Sequence, residues 1–292
     1  MQKTLTHLLM VILLSLSLCQ TQAQEDEPIV FTAPPRGTLV KETSTYKPIA
    51  DYLSKVLGKK VIYKQPMSWL HYQKDMWADK LQIAFDGPHF VSWRMNNKNH
   101  TPLVKLPQPH IWVVVARKDD KSTNSLTDIE GRTFCGHPPP NFGTLTIRSQ
   151  INAVTREPRL VVRKGWKNIF NSIVDEQACY AGVLPKTNLS KFDPEMKYVK
   201  VIYEHAPYAN QALTISNQFP VATREKVRAA LLSEEGQLSM TNLRKRFTKG
   251  KKLVSANNQE YRYVSDVLKN VYGYGFNFKD NATTQNNISL NN

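Results

Sequence analysis

The stretch Phe134-Cys-Gly-His-Pro-Pro-Pro-Asn-Phe-Gly-Thr-Leu-Thr146 is the part of this chain from which its fold is most readily inferred. It is typical of the end of a buried strand, a rigid proline turn and the first turn of a helix. Asn141 is a good N-cap, and Gly143 lets the backbone approach a neighbour closely. Thr144 and Thr146 add hydroxyls where helix amides are unpaired. Because a helix N-terminus carries free N–H groups and a partial positive charge, the stretch predicts either an anion or polar-ligand site or an ordinary strand-to-helix turn.

The first half of the chain has a similar order of elements. An apolar β run at residues 29–33 ends at two prolines, as the run at residues 134–135 ends at three. The apolar spacing after each run predicts a helix, a strand, a second helix and a second strand. The first helix of the chain is expected to begin near Thr45 and Tyr46 and to end at Gly58. Two such β-α-β-α-β units predict an α/β fold of two lobes, each with a small parallel sheet covered by helices.

Two further strands indicate how the lobes are joined. Residues 111–116 would carry the chain into the second lobe and residues 212–215 would carry it back, which makes a two-strand hinge. Three more helices would complete the first lobe, at residues 224–232, 238–247 and 261–272. The expected division of the chain is therefore a signal peptide at 1–23, lobe 1 at 24–112 and 213–278, lobe 2 with the hinge strands at 113–212, and a disordered tail at 279–292.

The N-terminus predicts export. Lys3 and His7 precede an apolar run at residues 8–18, and the small-residue pattern Thr21-Gln-Ala23 follows it. The run is too short to span a bilayer, so the segment is interpreted as a cleaved secretory signal peptide. A lipoprotein that uses Cys19 is the alternative. We expect the mature protein in the periplasm.

Basic residues outnumber acidic ones, 39 to 24, which gives a formal net charge of +15. Such a balance favours anionic partners, and export argues against nucleic acid as one of them. Two basic runs near the C-terminus, Arg244-Lys-Arg246 and Lys249-Gly-Lys-Lys252, are interpreted as a solvated charged face. The charge therefore leaves anionic lipid and an acidic small molecule as the expected kinds of partner.

Two cysteines lie outside the signal segment, Cys135 and Cys179. In an oxidising compartment an even pair of cysteines favours a disulfide, and two buried thiols are the alternative. The sequence has no phosphate loop, nucleophile elbow or paired-histidine metal motif, so no catalytic residue, metal or cofactor is expected.

The loops that follow the strands are the candidate site, because ligands in open α/β sheets bind beyond the carboxyl ends of the strands. These loops are at residues 32–36, 86–89, 136–146 and 182–186, and they would line one cleft if the lobes face each other. The N-termini of two helices would then point at one ligand. Such a site suits an oxyanion that is enclosed when the lobes close about the hinge.

Several side chains of these loops have two interpretations. Tyr46 would stack on a ligand or pack at the helix entrance, and Arg36 would pair with an anion or stay solvated. His89 would contact the ligand or serve as a capping or packing residue. Asp86 would bind an amine, hydroxyl or cation, or else cap the helix that begins at Pro88.

The chain resembles the periplasmic substrate-binding proteins of phosphate/phosphite/phosphonate-type ABC transporters. The resemblance covers nearly all of the mature chain, and the matching segments are Tyr46-Lys-Pro-Ile-Ala-Asp-Tyr-Leu-Ser54 with Leu57-Gly58, Ile83-Ala-Phe-Asp-Gly-Pro88, residues 135–144, Ala181-Gly-Val-Leu184 and Asn258-Gln-Glu-Tyr261. It implies a type 2 periplasmic-binding fold with the ligand between the lobes.

The resemblance also implies which residues bind. Carried over residue by residue, the family's site falls on Tyr46, on His89 and Phe90, and on residues 141–144. The chain departs from the family where Pro-Pro-Asn-Phe-Gly replaces a cluster of serines and threonines before Thr144. It also places Asp86 directly before the Gly-Pro pair.

The expected function is a monomeric solute receptor that closes on a small, phosphonate-like ligand and delivers it to a membrane permease. An enzyme on the same fold is an alternative that would need a reactive Cys or His cluster in the cleft, for which a free Cys135 thiol is one candidate. A sensory or partner-binding module is a further alternative.

Overall fold

The computed structural model describes residues 27–151 and 155–274. The signal peptide expected at residues 1–23 and the tail expected at residues 279–292 lie outside the described residues. Strands and helices follow one another in the order β1 (Ile29–Thr32), α1 (Leu39–Leu57), β2 (Val61–Tyr63), α2 (Trp69–Trp77), β3 (Ile83–Asp86), α3 (Pro88–Lys98), β4 (Thr101–Lys105), β5 (Trp112–Arg117), β6 (Thr133–Gly136), α4 (Phe142–Arg148), β7 (Arg159–Val162), α5 (Trp166–Val174), β8 (Ala181–Pro185), α6 (Lys186–Phe192), β9 (Val199–Glu204), β10 (Ala212–Ile215), α7 (Val221–Leu232), α8 (Glu234–Ser239), α9 (Thr241–Thr248) and β11 (Val254–Ser255).

The strands form two sheets, and each sheet is the centre of one lobe. Lobe 1 has six strands in the order β11-β4-β10-β3-β1-β2, and lobe 2 has five in the order β7-β6-β8-β5-β9. In each sheet three strands are parallel, β2-β1-β3 and β7-β6-β8, as the repeated units predict. An antiparallel strand, β10 or β5, is added at the side of each parallel set. The fold is therefore a two-lobed α/β fold with mixed sheets.

The two connections between the lobes run side by side. β5 lies wholly in the sheet of lobe 2 and β10 wholly in that of lobe 1, so the crossings fall before β5 and before β10. His110 and Tyr208 pair there as an antiparallel bridge. The amide nitrogen of His110 lies 2.9 Å from the carbonyl oxygen of Tyr208, and the amide nitrogen of Tyr208 lies 3.0 Å from the carbonyl oxygen of His110. The crossing segments are thus hydrogen-bonded to each other.

Helix α1 begins earlier than the sequence predicts. Thr38 caps it by accepting a hydrogen bond from the Lys41 amide, which places Thr45 and Tyr46 in the second turn, and it ends at Gly58, whose φ of 66° is left-handed. Pro48 inside the helix has no N–H for the carbonyl of Ser44. The side chain of Asn242 on α9 donates to that carbonyl at 2.8 Å. A contact distant in sequence therefore satisfies the acceptor that the proline leaves free.

The C-terminal part differs from the prediction of three helices. Residues 238–247 are divided between α8 and α9. The helix predicted at residues 261–272 is wrong, because the segment contains short 3-10 turns at Asn258–Tyr261 and Val264–Leu268. This segment packs on both lobes: Val264 joins the apolar cluster of Trp112 and Phe142, and Leu268 joins that of Tyr72 and Trp93.

Candidate functional site

The loops at the carboxyl ends of β3 and β6 meet between the lobes. The Nε2 atom of His89 lies 3.0 Å from the carbonyl oxygen of Pro140, within hydrogen-bonding distance. The ring of His89 also lies parallel to that of Phe142, with 4.9 Å between centroids and 5° between planes. The structure therefore brings together two of the loops that the sequence analysis selected.

Residues 182–186 do not form the loop that was predicted to line the cleft. Residues 182–185 instead belong to β8, which runs from Ala181 to Pro185, and helix α6 begins directly at Lys186. Gly182 and Val183 pair with β5, which makes the segment a central strand of the sheet. The prediction of a fourth loop here is wrong.

Arg36 follows β1 and lies close to the meeting point of the lobes. Its Nη1 atom is buried and has no hydrogen-bond partner among the described residues. Burial raises the pKa of Tyr46 and lowers that of His89 and of His110, and the Arg36 charge opposes the first shift and adds to the other two. Arg36 as a whole is half-buried.

Tyr46 is fully buried and packs against Phe31, Tyr63 and Phe85. Its position in the second turn of α1 means that it is not at the helix entrance, where the sequence analysis placed it. Burial raises the pKa of its hydroxyl to about 12 although the nearby Arg36 charge acts against that shift. The hydroxyl makes no well-aligned hydrogen bond within the described part of the chain, and the side chain beside it with which it interacts is that of Arg36.

His89 is enclosed by aromatic rings. Phe90 stacks on one side of it at 4.0 Å, and Phe142 of lobe 2 is also stacked against it. Burial lowers the pKa of His89 to about 3, so the ring is neutral at neutral pH. Its Nδ1 atom has no hydrogen-bond partner among the described residues. Phe90 itself packs against Tyr72 and is buried, which is a packing role.

Asp86 lies in a buried ion pair. Its Oδ2 accepts a hydrogen bond from Arg94 Nε at 2.7 Å, and its Oδ1 accepts one from the hydroxyl of Tyr72. The residue does not cap helix α3, whose N-cap is Gly87 without a side-chain bond, so that interpretation is wrong. Both carboxylate oxygens are engaged inside lobe 1, and the structure gives the residue no free group for a ligand.

Helix α4 has the predicted N-cap, and both the amide and the hydroxyl of Thr144 already have internal partners. Asn141 Oδ1 accepts the Thr144 amide at 3.1 Å, and the Thr144 hydroxyl donates to the carbonyl of His137 at 2.7 Å. Gly143 does allow a close approach, because a Cβ there would lie 2.5 Å from the ring of Trp112. The close neighbour is therefore an indole ring. The hydroxyl of Thr146 is buried without a hydrogen-bond partner in the described chain.

Thr45 has an internal partner as well. Its hydroxyl donates to the carbonyl of Lys41 at 2.8 Å, one turn earlier in α1. Its neighbour Arg246 forms a two-point ion pair with the buried Glu42, at 2.8 and 3.1 Å. The interpretation of residues 244–246 as a solvated face is therefore wrong for Arg246, which neutralises an internal carboxylate.

Sequence analysis missed two aromatic residues of the cleft, His110 and Trp112. His110 comes from the first crossing segment, Trp112 opens β5 and Tyr208, a weaker candidate from the sequence, comes from the second crossing segment; all three rings lie within 6.1 Å of Phe142. Burial lowers the pKa of His110 to about 4. Phe142 carried a signal in the sequence, as a departure from the resembled family.

A groove of about 600 Å³ crosses the boundary between the lobes beside this cluster. Lobe 2 contributes Pro139, Pro140 and Leu145, and lobe 1 contributes Trp69 and Leu70. The Pro139–Pro140 peptide bond is cis. The groove is lined mainly by apolar side chains, and it was not predicted from the sequence.

The cysteine prediction is confirmed: Cys135 and Cys179 form a disulfide, with Cα atoms 5.7 Å apart. Cys135 is therefore not the free thiol that was one candidate for an enzyme's reactive group. No three His, Cys, Asp or Glu residues gather into a metal site within the described ranges. Likewise, none of the helices in those ranges combines the length and apolar character of a membrane span.

Two lobes that meet at loops with buried, unpartnered polar atoms define a binding protein of the type 2 periplasmic architecture. The chain belongs to the family of periplasmic substrate-binding proteins of phosphonate ABC transporters, whose family model matches residues 31–261. The resemblance seen in the sequence is thereby confirmed. Members of this family are the periplasmic substrate-binding proteins of transporters and are not enzymes.

Solved structures with the same fold include three that are similar to this chain over most of its length. PhnD1 from Prochlorococcus marinus, in complex with methylphosphonate, is 14% identical with a TM-score of 0.61, and the match covers 85% of this chain and 99% of that one. A Xanthomonas citri protein bound to ATP is 11% identical with a TM-score of 0.67, over 85% and 99%. A phosphonate-transporter binding protein of Pseudomonas aeruginosa is 16% identical with a TM-score of 0.57, over 90% and 95%. No curated protein matches the chain.

Proposed function

We propose that this protein is the periplasmic receptor of an ABC importer and takes a small, phosphonate-like oxyanion between its lobes. The observation that carries the proposal is a pair of neighbouring buried donors that follows β1 and lies on α1, Arg36 Nη1 and the Tyr46 hydroxyl: the two side chains interact with each other, and neither atom makes a well-aligned hydrogen bond to an acceptor among the described residues. A buried donor without an acceptor is costly, so such groups in a cleft point to a ligand.

The charges around this pair suit an anion. His89 and His110 are neutral at neutral pH because burial lowers the pKa of each. The nearby carboxylate of Glu42 is paired with Arg246. Arg36 therefore supplies the net positive charge of the site, and a guanidinium forms strong, charge-assisted hydrogen bonds with phosphonate oxygens.

The remaining steps of transport follow from the family. The signal peptide at residues 1–23 directs the chain to the periplasm, the lobes close on the ligand through the paired crossing segments, and the monomer delivers the ligand to a permease in the inner membrane. The contact between His89 and Pro140 would be part of the closed form, because it joins a loop of each lobe.

Calorimetric titration with methylphosphonate, phosphite and phosphate tests the proposal. Loss of a hydrogen bond to a charged group weakens binding by about 10- to 100-fold, so Arg36→Gln should raise the Kd by that factor. Arg159→Gln is the matched control, because it removes an exposed arginine on β7. If Arg36→Gln binds as tightly as the wild type, Arg36 is not the anion anchor. If the wild type binds none of the three, the oxyanion proposal fails.

A further inference from the structure

Gly37 directly follows Arg36 in the loop between β1 and α1, and the side of it that carries no side chain faces a buried ion pair. A Cβ at this position would lie 2.5 Å from Glu42 Oε1 and 3.7 Å from Arg246 Nη2. The shorter of these distances is a steric clash, so any side chain here would have to displace a neighbour. The loop that carries Arg36 is therefore set directly against the Glu42 carboxylate.

The carboxylate of Glu42 is itself fixed. Its side chain is fully buried, and its two oxygens accept hydrogen bonds from Arg246 at 2.8 and 3.1 Å. A two-point contact of this kind fixes the geometry of both partners as well as their distance. Helix α9, which carries Arg246, is also joined to α1 by the hydrogen bond from Asn242 to Ser44. The ion pair therefore forms a rigid wall behind the loop.

The loop is restrained on its other sides as well. Pro34 and Pro35 precede Arg36, and each proline ring holds its own φ at about −65°. After Arg36, the carbonyl of Gly37 accepts a hydrogen bond from Gln65 Nε2 at 3.1 Å. Because the backbone is restrained on both sides of Arg36, less conformational entropy is lost when this residue binds an anion.

We propose that Gly37 is a positioning residue: its contact with the Glu42 carboxylate, which Arg246 holds, sets the place of the Arg36 guanidinium in the anion site. The inference rests on the proposed function, since it concerns the arginine that would bind the oxyanion. Hydrogen bonds weaken steeply when their angle or length departs from the optimum, so a small displacement of the loop is enough to lower the affinity.

Titration of Gly37→Ala with methylphosphonate tests this role. The added methyl group should move the loop away from Glu42, and the Kd should rise by about tenfold but not beyond that of Arg36→Gln. Val40→Ala is the control, because Val40 lies in the first turn of α1 and is 80% exposed, and it should bind like the wild type. A wild-type Kd in Gly37→Ala overturns the inference.

A double-mutant cycle shows whether Gly37 acts through Arg36. If it does, Gly37→Ala should cause no further loss of affinity in a protein that already has Arg36→Gln, so the two effects should not add. A glycine that serves only the fold would weaken binding by the same factor in both backgrounds, and that result overturns the inference.

The part played by Glu42 has a separate test. Aspartate is one methylene shorter than glutamate, so Glu42→Asp should make room for the methyl group of Gly37→Ala. The double variant should therefore bind methylphosphonate more tightly than Gly37→Ala alone. If the affinity does not recover, Glu42 is not what sets the position of the loop.

These outcomes are distinct from those that test the proposed function. An Arg36→Gln variant that binds like the wild type, or a wild type that binds no oxyanion, overturns the proposed function, whereas failure of the Gly37 tests leaves it standing. If circular dichroism shows that Gly37→Ala is unfolded, Gln65→Ala takes its place in the cycle, because it removes the hydrogen bond to the Gly37 carbonyl. Its Kd should rise by about two- to tenfold with Arg36 present and not at all with Arg36→Gln, and any other result overturns the inference.

Discussion

Arg94 and Asp86 form an ion pair with both side chains fully buried in lobe 1, and Arg94 Nε lies 2.7 Å from Asp86 Oδ2. The hydroxyl of Tyr72 joins the pair, because it donates to Asp86 and accepts from Arg94 Nη2 at 3.0 Å. The arrangement neutralises a carboxylate that lies one residue before the Gly-Pro turn of the cleft. An anionic ligand therefore meets no net negative charge from Asp86.

Removal of one partner of this pair should destabilise the fold. Arg94→Met leaves the Asp86 carboxylate buried without its cation, which costs about 3–5 kcal/mol in the free energy of unfolding. Urea denaturation followed by circular dichroism measures the change. Lys47→Met is the control: it breaks the exposed pair of Lys47 with Asp51 and should change stability by about 0.5 kcal/mol or less. A loss below 1 kcal/mol in Arg94→Met would contradict the structural role of the pair.

Acid should weaken the fold through the cleft histidines. Histidine titrates near 6.5 in an unfolded chain, whereas burial lowers the pKa of His89 to about 3 and of His110 to about 4. Below pH 6.5 the unfolded chain binds protons that the folded protein does not, so the stability present above pH 6.5 is lost progressively as the pH falls towards these lower values. Between pH 7 and pH 5 each histidine should lower the free energy of unfolding by up to about 2 kcal/mol.

Urea titrations at the two pH values, carried out on His89→Gln, isolate one of these contributions. The variant should lose less stability on acidification than the wild type does. His71→Gln removes an exposed histidine of α2 and should behave like the wild type. An equal pH dependence in all three proteins would show that His89 is not the source.

The disulfide should stabilise lobe 2. Cys135 and Cys179 are separated by 44 residues, and closing a loop of that size typically contributes about 2–4 kcal/mol. The double variant Cys135→Ser, Cys179→Ser should therefore unfold at lower urea concentration, and dithiothreitol should shift the wild type to the same midpoint. A midpoint that neither treatment moves would contradict this contribution.

Gly143 should be required for packing against Trp112. A Cβ at this position would lie 2.5 Å from ring atoms of Trp112, and overpacking of this kind costs about 1–3 kcal/mol. Gly143→Ala should lower the free energy of unfolding by that amount in urea titrations. In a double-mutant cycle with Trp112→Leu the two effects should not add, because the smaller side chain relieves the clash. Additive effects would show that the glycine serves another purpose.

Those parts of the fold that depend on local sequence could be predicted. Gly58 ends α1 in a left-handed conformation, Asn141 caps α4 and Pro88 begins α3, and each of these is determined by the residue itself. The start of α1 was missed, although its N-cap, Thr38, is also local. Pro48 inside the helix leaves the Ser44 carbonyl without an amide donor, and Asn242, nearly two hundred positions later, donates to it.

The site was harder to predict than the fold, because burial and partners decide which polar groups are free. Arg36 and Tyr46 were candidates and have unpartnered atoms, whereas the hydroxyl of Thr144 was a candidate and is bonded to His137. Asp86 was considered as a ligand group or a helix cap, and its partner Arg94 could be found only when α3 was placed on β3. The contact of Phe142 with His89 depends on how the lobes meet, which local patterns do not encode.

The bridge between Cys135 and Cys179 also bears on how the protein is made. Thiols stay reduced in the cytosol, so the bond can form only after the chain has crossed the inner membrane. Before that, lobe 2 lacks the bond between β6 and the segment that leads into β8. The newly synthesised chain is then easier to keep unfolded for translocation, and it becomes more stable once it reaches the compartment in which it works.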